Sequence, residues 1–415
     1  NEGGDPLEHE WPMNEIGVPP LGDGGDMWEF CMRWVYQSID SGFGEDHYQS
    51  GHLMKSRGVK LVIDHPDWAK ARTLYASDDN GCFKFEAPQN TGYVITMFAE
   101  AKLGEDENLA VRAYDTVSQA LANKPEEVAQ WTIHANPGGS PRRVYYQNEP
   151  GPESDLMAFG SFMVHWIDHK TSPRLAGEHT MRMASDGTGC GGSCQSGNTV
   201  RIQPGAEQRK FLVGHEVGHW LHRTWTNDQL GLFAYGANSG DPDCAFVGVG
   251  EHAMRSKEYA GGALIEGFAQ YLAALAWNDH DEQDGWFKYY KEVNNIAYED
   301  MQAGNWRVDV EGDGINPVGG VSNWMANKCT VHDGHSVEMD WMRFWWDYRT
   351  DGVKWTRPGH HDLFEHLLYT ADNDPWLDVK DAFDRLLDTI NDPGLGQTLY
   401  AARFSQKAIQ NGVAQ

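Results

Sequence analysis

Between residues 214 and 222 the chain reads GHEVGHWLH, with three histidines and one glutamate in nine positions. On a helix, a spacing of four residues places His215 and His219 on one face, one turn apart. That is the separation at which two imidazole nitrogens share a tetrahedral zinc ion, at about 2.0–2.1 Å each. The flanking FLV and WL continue an apolar pattern, so the segment reads as a buried amphipathic helix. The competing reading is a pair of ordinary packed histidines.

A zinc site of this kind needs a third protein ligand. The metzincin arrangement asks for Gly three residues beyond the second His and another His three later; His222 and Trp225 stand there instead. His222 then reads as a residue on the helix surface. The segment ALIEGFAQYLAA, residues 263 to 274, offers Glu266 on a second helix whose other residues are almost all apolar. A carboxylate buried there must be paired or metal-bound. Glu258, in RSKEYAGG, is the runner-up.

An HExxH helix followed by a helix carrying EGxAxY resembles the gluzincin metallopeptidases, thermolysin-like and fungalysin-like enzymes among them. The resemblance covers residues 200 to 280. It implies zinc held by His215, His219 and Glu266, with Glu216 as the general base that takes a proton from water and passes it to the leaving amine. The substrate strand of such enzymes lies along an edge strand upstream of the HExxH helix, here NTVRIQP at residues 198 to 204. The resemblance also implies a downstream Tyr or His that steadies the oxyanion, for which Tyr348, His335 and His332 are candidates, Tyr348 first. The chain departs from the pattern twice. Forty-six residues separate His219 from Glu266, a long insertion, and Gln270 stands where those enzymes carry an Asp that orients a ligand histidine. An amide oxygen still accepts an imidazole N–H, so Gln270 keeps that role open.

The rest of the chain divides by pattern. Residues 1 to 26 are rich in Gly, Pro and acid and read as a flexible lead-in. Residues 27 to 150 read as a β-sandwich domain, with WEFCMRWVYQSI, VKLVI, RTLYAS, CFKFEA, GYVITMFAEA and ENLAVRAY as strands. SDDNGCFKFEAP resembles the turn and strand of transthyretin-like, carboxypeptidase-regulatory-like sandwiches, which implies such a domain here. NPGGSPRRVYYQNEPGPE, residues 136 to 153, reads as a linker. Residues 151 to 415 then read as the gluzincin-like domain, mainly helical with a small mixed sheet. Its helices are DLMAFGSFMVHWIDH, the two metal helices, VEMDWMRFWWDYRT, HDLFEHLLYTA and WLDVKDAFDRLLDTI, the last capped by Asp374 ahead of Pro375. The expected class is α+β.

Composition limits the function. With 61 acidic and 33 basic residues the net charge is −28, which argues against nucleic acid and anionic membranes and favours basic substrates. No run of eighteen apolar residues occurs, so no membrane-spanning helix is expected. A chain opening on Asn1 fits a removed signal peptide, or trimming at that point. Six cysteines suit disulfides and a secreted or cell-surface location, and Cys190 with Cys194 is a local pair that closes on itself. Asp309, Glu311 and Asp313 form the front half of a calcium loop, with Gly320 where an EF-hand has its Glu, so any calcium site there uses other ligands. His361 and His366 are five apart, read as structural, and no GxSxG serine elbow is present. The expectation is a secreted zinc peptidase, with endopeptidase action favoured. The alternatives are an extracellular protein that binds glycan or protein, its 17 tryptophans suited to sugar stacking and its zinc site structural, and zinc-dependent hydrolysis of a non-peptide bond.

Overall fold

The computed structural model describes residues 26–39, 53–66, 68–75, 81–87, 92–103, 108–135, 143–170, 177–186, 190, 192–226, 260–278, 286–287, 308–309, 338–350, 379–391, 398–410 and 413. The fold is α+β. Its strands are β1 (Asp26–Val35), β2 (Leu53–Lys55), β3 (Val59–Asp64), β4 (Arg72–Tyr75), β5 (Cys82–Ala87), β6 (Tyr93–Leu103), β7 (Leu109–Tyr114), β8 (Gln130–Ala135), β9 (Arg143–Gln147), β10 (His179–Ala184), β11 (Cys194–Ser196), β12 (Thr199–Arg201), β13 (Trp286–Phe287) and β14 (Val308–Asp309). Its helices are α1 (Val117–Ala122), α2 (Pro152–Lys170), α3 (Lys210–Trp225), α4 (Ala260–Trp277), α5 (Glu338–Thr350), α6 (Val379–Asn391) and α7 (Thr398–Gln410).

The chain forms two compact units that divide within α3, at Val213/Gly214. The first holds β1 to β12 in two sheets. In the smaller sheet β1 pairs antiparallel with β5 and β2, and parallel with β9. In the larger, the long strand β6 pairs with β3, β8 and β7. Period-two patterning builds it: Val59, Leu61 and Ile63 of β3 and Tyr93, Ile95 and Met97 of β6 are all buried. Trp34 of the smaller sheet meets Trp131 of the larger edge-on, ring centroids 5.8 Å apart. Cys31 and Cys82, directly opposed on β1 and β5, form a disulfide.

Three expectations need correction. The stretch at 136 to 153 is not simply a linker, because Arg143–Gln147 is β9, paired with β1. A five-residue strand flanked by Pro and Gly has too little pattern to stand out. The line expected at residue 150 does not separate the units, since β10 runs parallel to β7 and adds β12 and β11 to the larger sheet. The mixed sheet therefore belongs to the first unit, and the second holds β13 paired with β14. Nor is β12 an edge: β10 occupies one side and β11 the other. With β10 on one side and β11 on the other, Thr199–Arg201 of NTVRIQP is paired along both edges and is not open to a substrate strand.

The core of the second unit is aromatic. Trp341, Phe344 and Trp345 of α5 pack with Phe268 of α4, Phe383 of α6 and Phe404 of α7. The lead-in at 1 to 25, the helix expected at HDLFEHLLYTA, its His361 and His366, and Asp374 with Pro375 lie outside the described residues.

Candidate metal centre

Small residues bring α3 and α4 together. A Cβ built on Gly218, inside the HEVGH motif, would lie 3.0 Å from the Cα and the carbonyl oxygen of Ala269. One on Gly214 would lie 3.1 Å from Trp277 Nε1 and 3.3 Å from Ala273 Cβ. Gly214 and Gly218, four apart on α3, thus face Ala269 and Ala273, four apart on α4. A side chain at either glycine would need its neighbour on α4 to give by a few tenths of an ångström, so the two helices pack closely along this seam.

The side chains beside it are His215, His219 and Glu266. His215 Nε2 stands 3.0 Å from Glu266 Oε2, His219 Nε2 stands 3.5 Å from Oε1, and the two Nε2 atoms are 3.0 Å apart. Among the described residues these three form the group of His, Cys, Asp and Glu whose ligand atoms all lie within 4.8 Å of one another. Ligands bound tetrahedrally at ~2.0–2.1 Å are roughly 3.3 Å from each other, so separations of 3.0, 3.0 and 3.5 Å fit such an ion. Two imidazole nitrogens facing one another also require something positive between their lone pairs, either a proton or a metal. The donor set and its spacing both suit a zinc ion.

Burial, then the neighbouring His219, pushes His215 down to about 4, against the opposing pull of Glu266 and Glu338, so its imidazole is neutral with a lone pair to give. Burial also depresses His219, but the carboxylates of Glu266, Glu216 and Glu338 carry it above the ordinary histidine value. Burial alone would raise Glu266; its interactions with His219 and His215, hydrogen bonds among them, overcome it and hold the carboxyl well below the usual range. Glu266 is 1% exposed and charged, as expected of a carboxylate forced inward on an apolar helix. Glu216 is buried next to the first histidine and close enough to raise His219.

Other expectations fare differently. His222 is not on the helix surface: it is buried and lies against Phe268, ring centroids 4.3 Å apart, and burial holds it near 3. It is not one of the three grouped ligands. Tyr348 is ten residues along α5 from Glu338, roughly 15 Å at the helical rise, and fully buried. Its ring stacks on Phe344 and meets Phe404 edge-on, so it belongs to the aromatic core and is not gathered with the histidines. Gln270 instead donates from Nε2 to Glu338 Oε1 at 3.2 Å. Glu338 is the residue that sequence reasoning passed over. An acid in the first turn of a helix looks like ordinary dipole complement, and its partner stands 68 positions away. His332, His335, Glu258, Glu311 and Asp313 lie outside the described residues, and of Asp309 the backbone pairing with Trp286 is described.

No family model matches this chain, and no curated protein matches it. Among solved structures, it is similar to a "putative carbohydrate binding protein" of Pseudomonas aeruginosa at 15% identity and a TM-score of 0.17, covering 34% of this chain and 99% of the other. A TM-score of 0.17 relates neither fold nor function.

Proposed function

We propose that the chain is a zinc-dependent peptidase that acts outside the cell, of the gluzincin type. The observation that carries this reading is the convergence of His215, His219 and Glu266, from two helices, at separations suited to one tetrahedral ion. His215 and His219 would hold zinc through Nε2 and Glu266 through its carboxylate. When bound, zinc supplies a Lewis acid that acidifies water and polarises a carbonyl. The chain's own proton chemistry falls to Glu216. It takes a proton from the attacking water as the water oxygen bonds to the carbonyl carbon, and returns that proton to the nitrogen as the C–N bond breaks. A site kept for structure alone has no use for a base at this position. The extracellular location is supported by two disulfides. The net charge of −28 favours basic peptide substrates.

The test is digestion of a proteome-derived peptide library by wild type, by wild type with chelator, and by Glu216→Gln. Cleavage by wild type alone, with Glu216→Gln retaining its zinc, supports the reading. A wild-type protein that holds zinc and cleaves nothing overturns it, in favour of a binding role or another hydrolysed bond.

A further inference from the structure

Glu338 opens α5 and is fully buried. A carboxylate taken out of water needs compensation. One partner is Gln270, which stands four residues after Glu266 and so one turn further along the same face of α4. The contact between the two helices is tight at this turn: a Cβ built on Gly267 would lie 2.3 Å from the Glu338 carbonyl oxygen and 2.5 Å from Trp341 Cβ. The glycine next to Glu266 thus admits the first turn of α5, and with it the second carboxylate. Glu338 acts on both His215 and His219 through its charge, although its oxygens are not among the ligand atoms gathered within 4.8 Å.

We propose that Glu338 is a positioning residue for the metal centre: a carboxylate delivered from a third helix, α5, and held by Gln270 of α4. Outer carboxylates orient ligating imidazoles and raise their basicity. Gln270 anchors that charge from α4, one turn beyond Glu266. The inference rests on the zinc reading above.

The experiment titrates the metal-free full chain with Zn²⁺ against a chromophoric chelator, and separately with Co²⁺ followed by absorption. Glu338→Gln keeps the side-chain shape and a partner for Gln270 but removes the charge. It is expected to bind Zn²⁺ roughly 10–100-fold more weakly and to shift the Co²⁺ spectrum, with the thermal midpoint of the metal-free protein held. The double variant Gln270→Glu/Glu338→Gln returns a carboxylate to the pair from the other side and is expected to recover affinity to within about tenfold of wild type. Equal Zn²⁺ affinity and equal Co²⁺ spectra for Glu338→Gln and wild type overturn the proposal and leave the zinc reading standing. A wild-type chain with no Zn²⁺ affinity overturns both. If Glu338→Gln does not fold, the double variant decides: affinity within about tenfold of wild type supports the role, and a larger loss overturns it.

Discussion

His222 lies seven residues after His215, so it returns to the same side of α3 and faces α4, where Phe268 covers it. His215 and His219 meet Glu266; His222, one turn on, meets a ring and stays neutral. What separates ligand from packing residue is therefore the partner on the opposite helix, which lies more than forty positions away in the chain. His222→Phe is expected to leave zinc affinity unchanged in a chelator competition, whereas His215→Ala and Glu266→Ala abolish it. Asp155, in the first turn of α2, gives a prediction in pH. Burial raises its carboxyl to about 7, with Glu207 and Glu153 adding to the shift and the Gln37 N–H opposing it from 2.7 Å. Its folded value lies above its unfolded one, so the folded protein keeps a proton that the unfolded chain loses. The stability this contributes is fully present below about pH 4 and is lost as pH rises through about 7. Urea unfolding at a series of pH values between these limits is expected to show that slope, and Asp155→Asn to flatten it.

The helices of the second unit depend on where side chains are missing. Gly267→Ala places a Cβ against the Glu338 backbone, which a rotamer change does not relieve. Such overpacking costs about 1–3 kcal/mol, expected as a lower guanidinium midpoint together with weaker zinc binding, since α5 carries Glu338. The strands of β3 to β7 were legible because their turns and alternation are local. Helices α2 to α6 were legible from apolar periodicity, and α3 with α4 offered His215, Glu216, His219 and Glu266 as candidate site residues, of which His215, His219 and Glu266 come together. What was not legible is pairing. That β9 lies parallel to β1, that β11 folds back to cover β12, and that Gln270 answers to Glu338 are long-range choices with no local sign. The same holds for Tyr348, whose phenol suggested chemistry until Phe344 and Phe404 enclosed its ring.

Taken together, the chain is stabilised by an apolar core in each unit and by cross-links in the first. The Cys31–Cys82 disulfide spans 51 residues and Cys190–Cys194 spans four. Loop-closure entropy makes the first worth roughly 4 kcal/mol and the second roughly 2, so Cys31→Ala/Cys82→Ala is expected to lower the guanidinium midpoint about twice as far as Cys190→Ala/Cys194→Ala. Neither pair supplies a metal donor, and zinc affinity is expected to survive the loss of Cys190–Cys194. Among the described residues, the grouped histidines and carboxylate lie on α3 and α4, with Glu338 at the first turn of α5. The direct measurement is metal content of the purified full chain by elemental analysis, before and after chelation and again after return of Zn²⁺. One zinc per chain, removed by chelator, restored by Zn²⁺ and absent from Glu266→Ala, is the result predicted. A wild-type chain that carries no metal and takes up none contradicts the account at its centre.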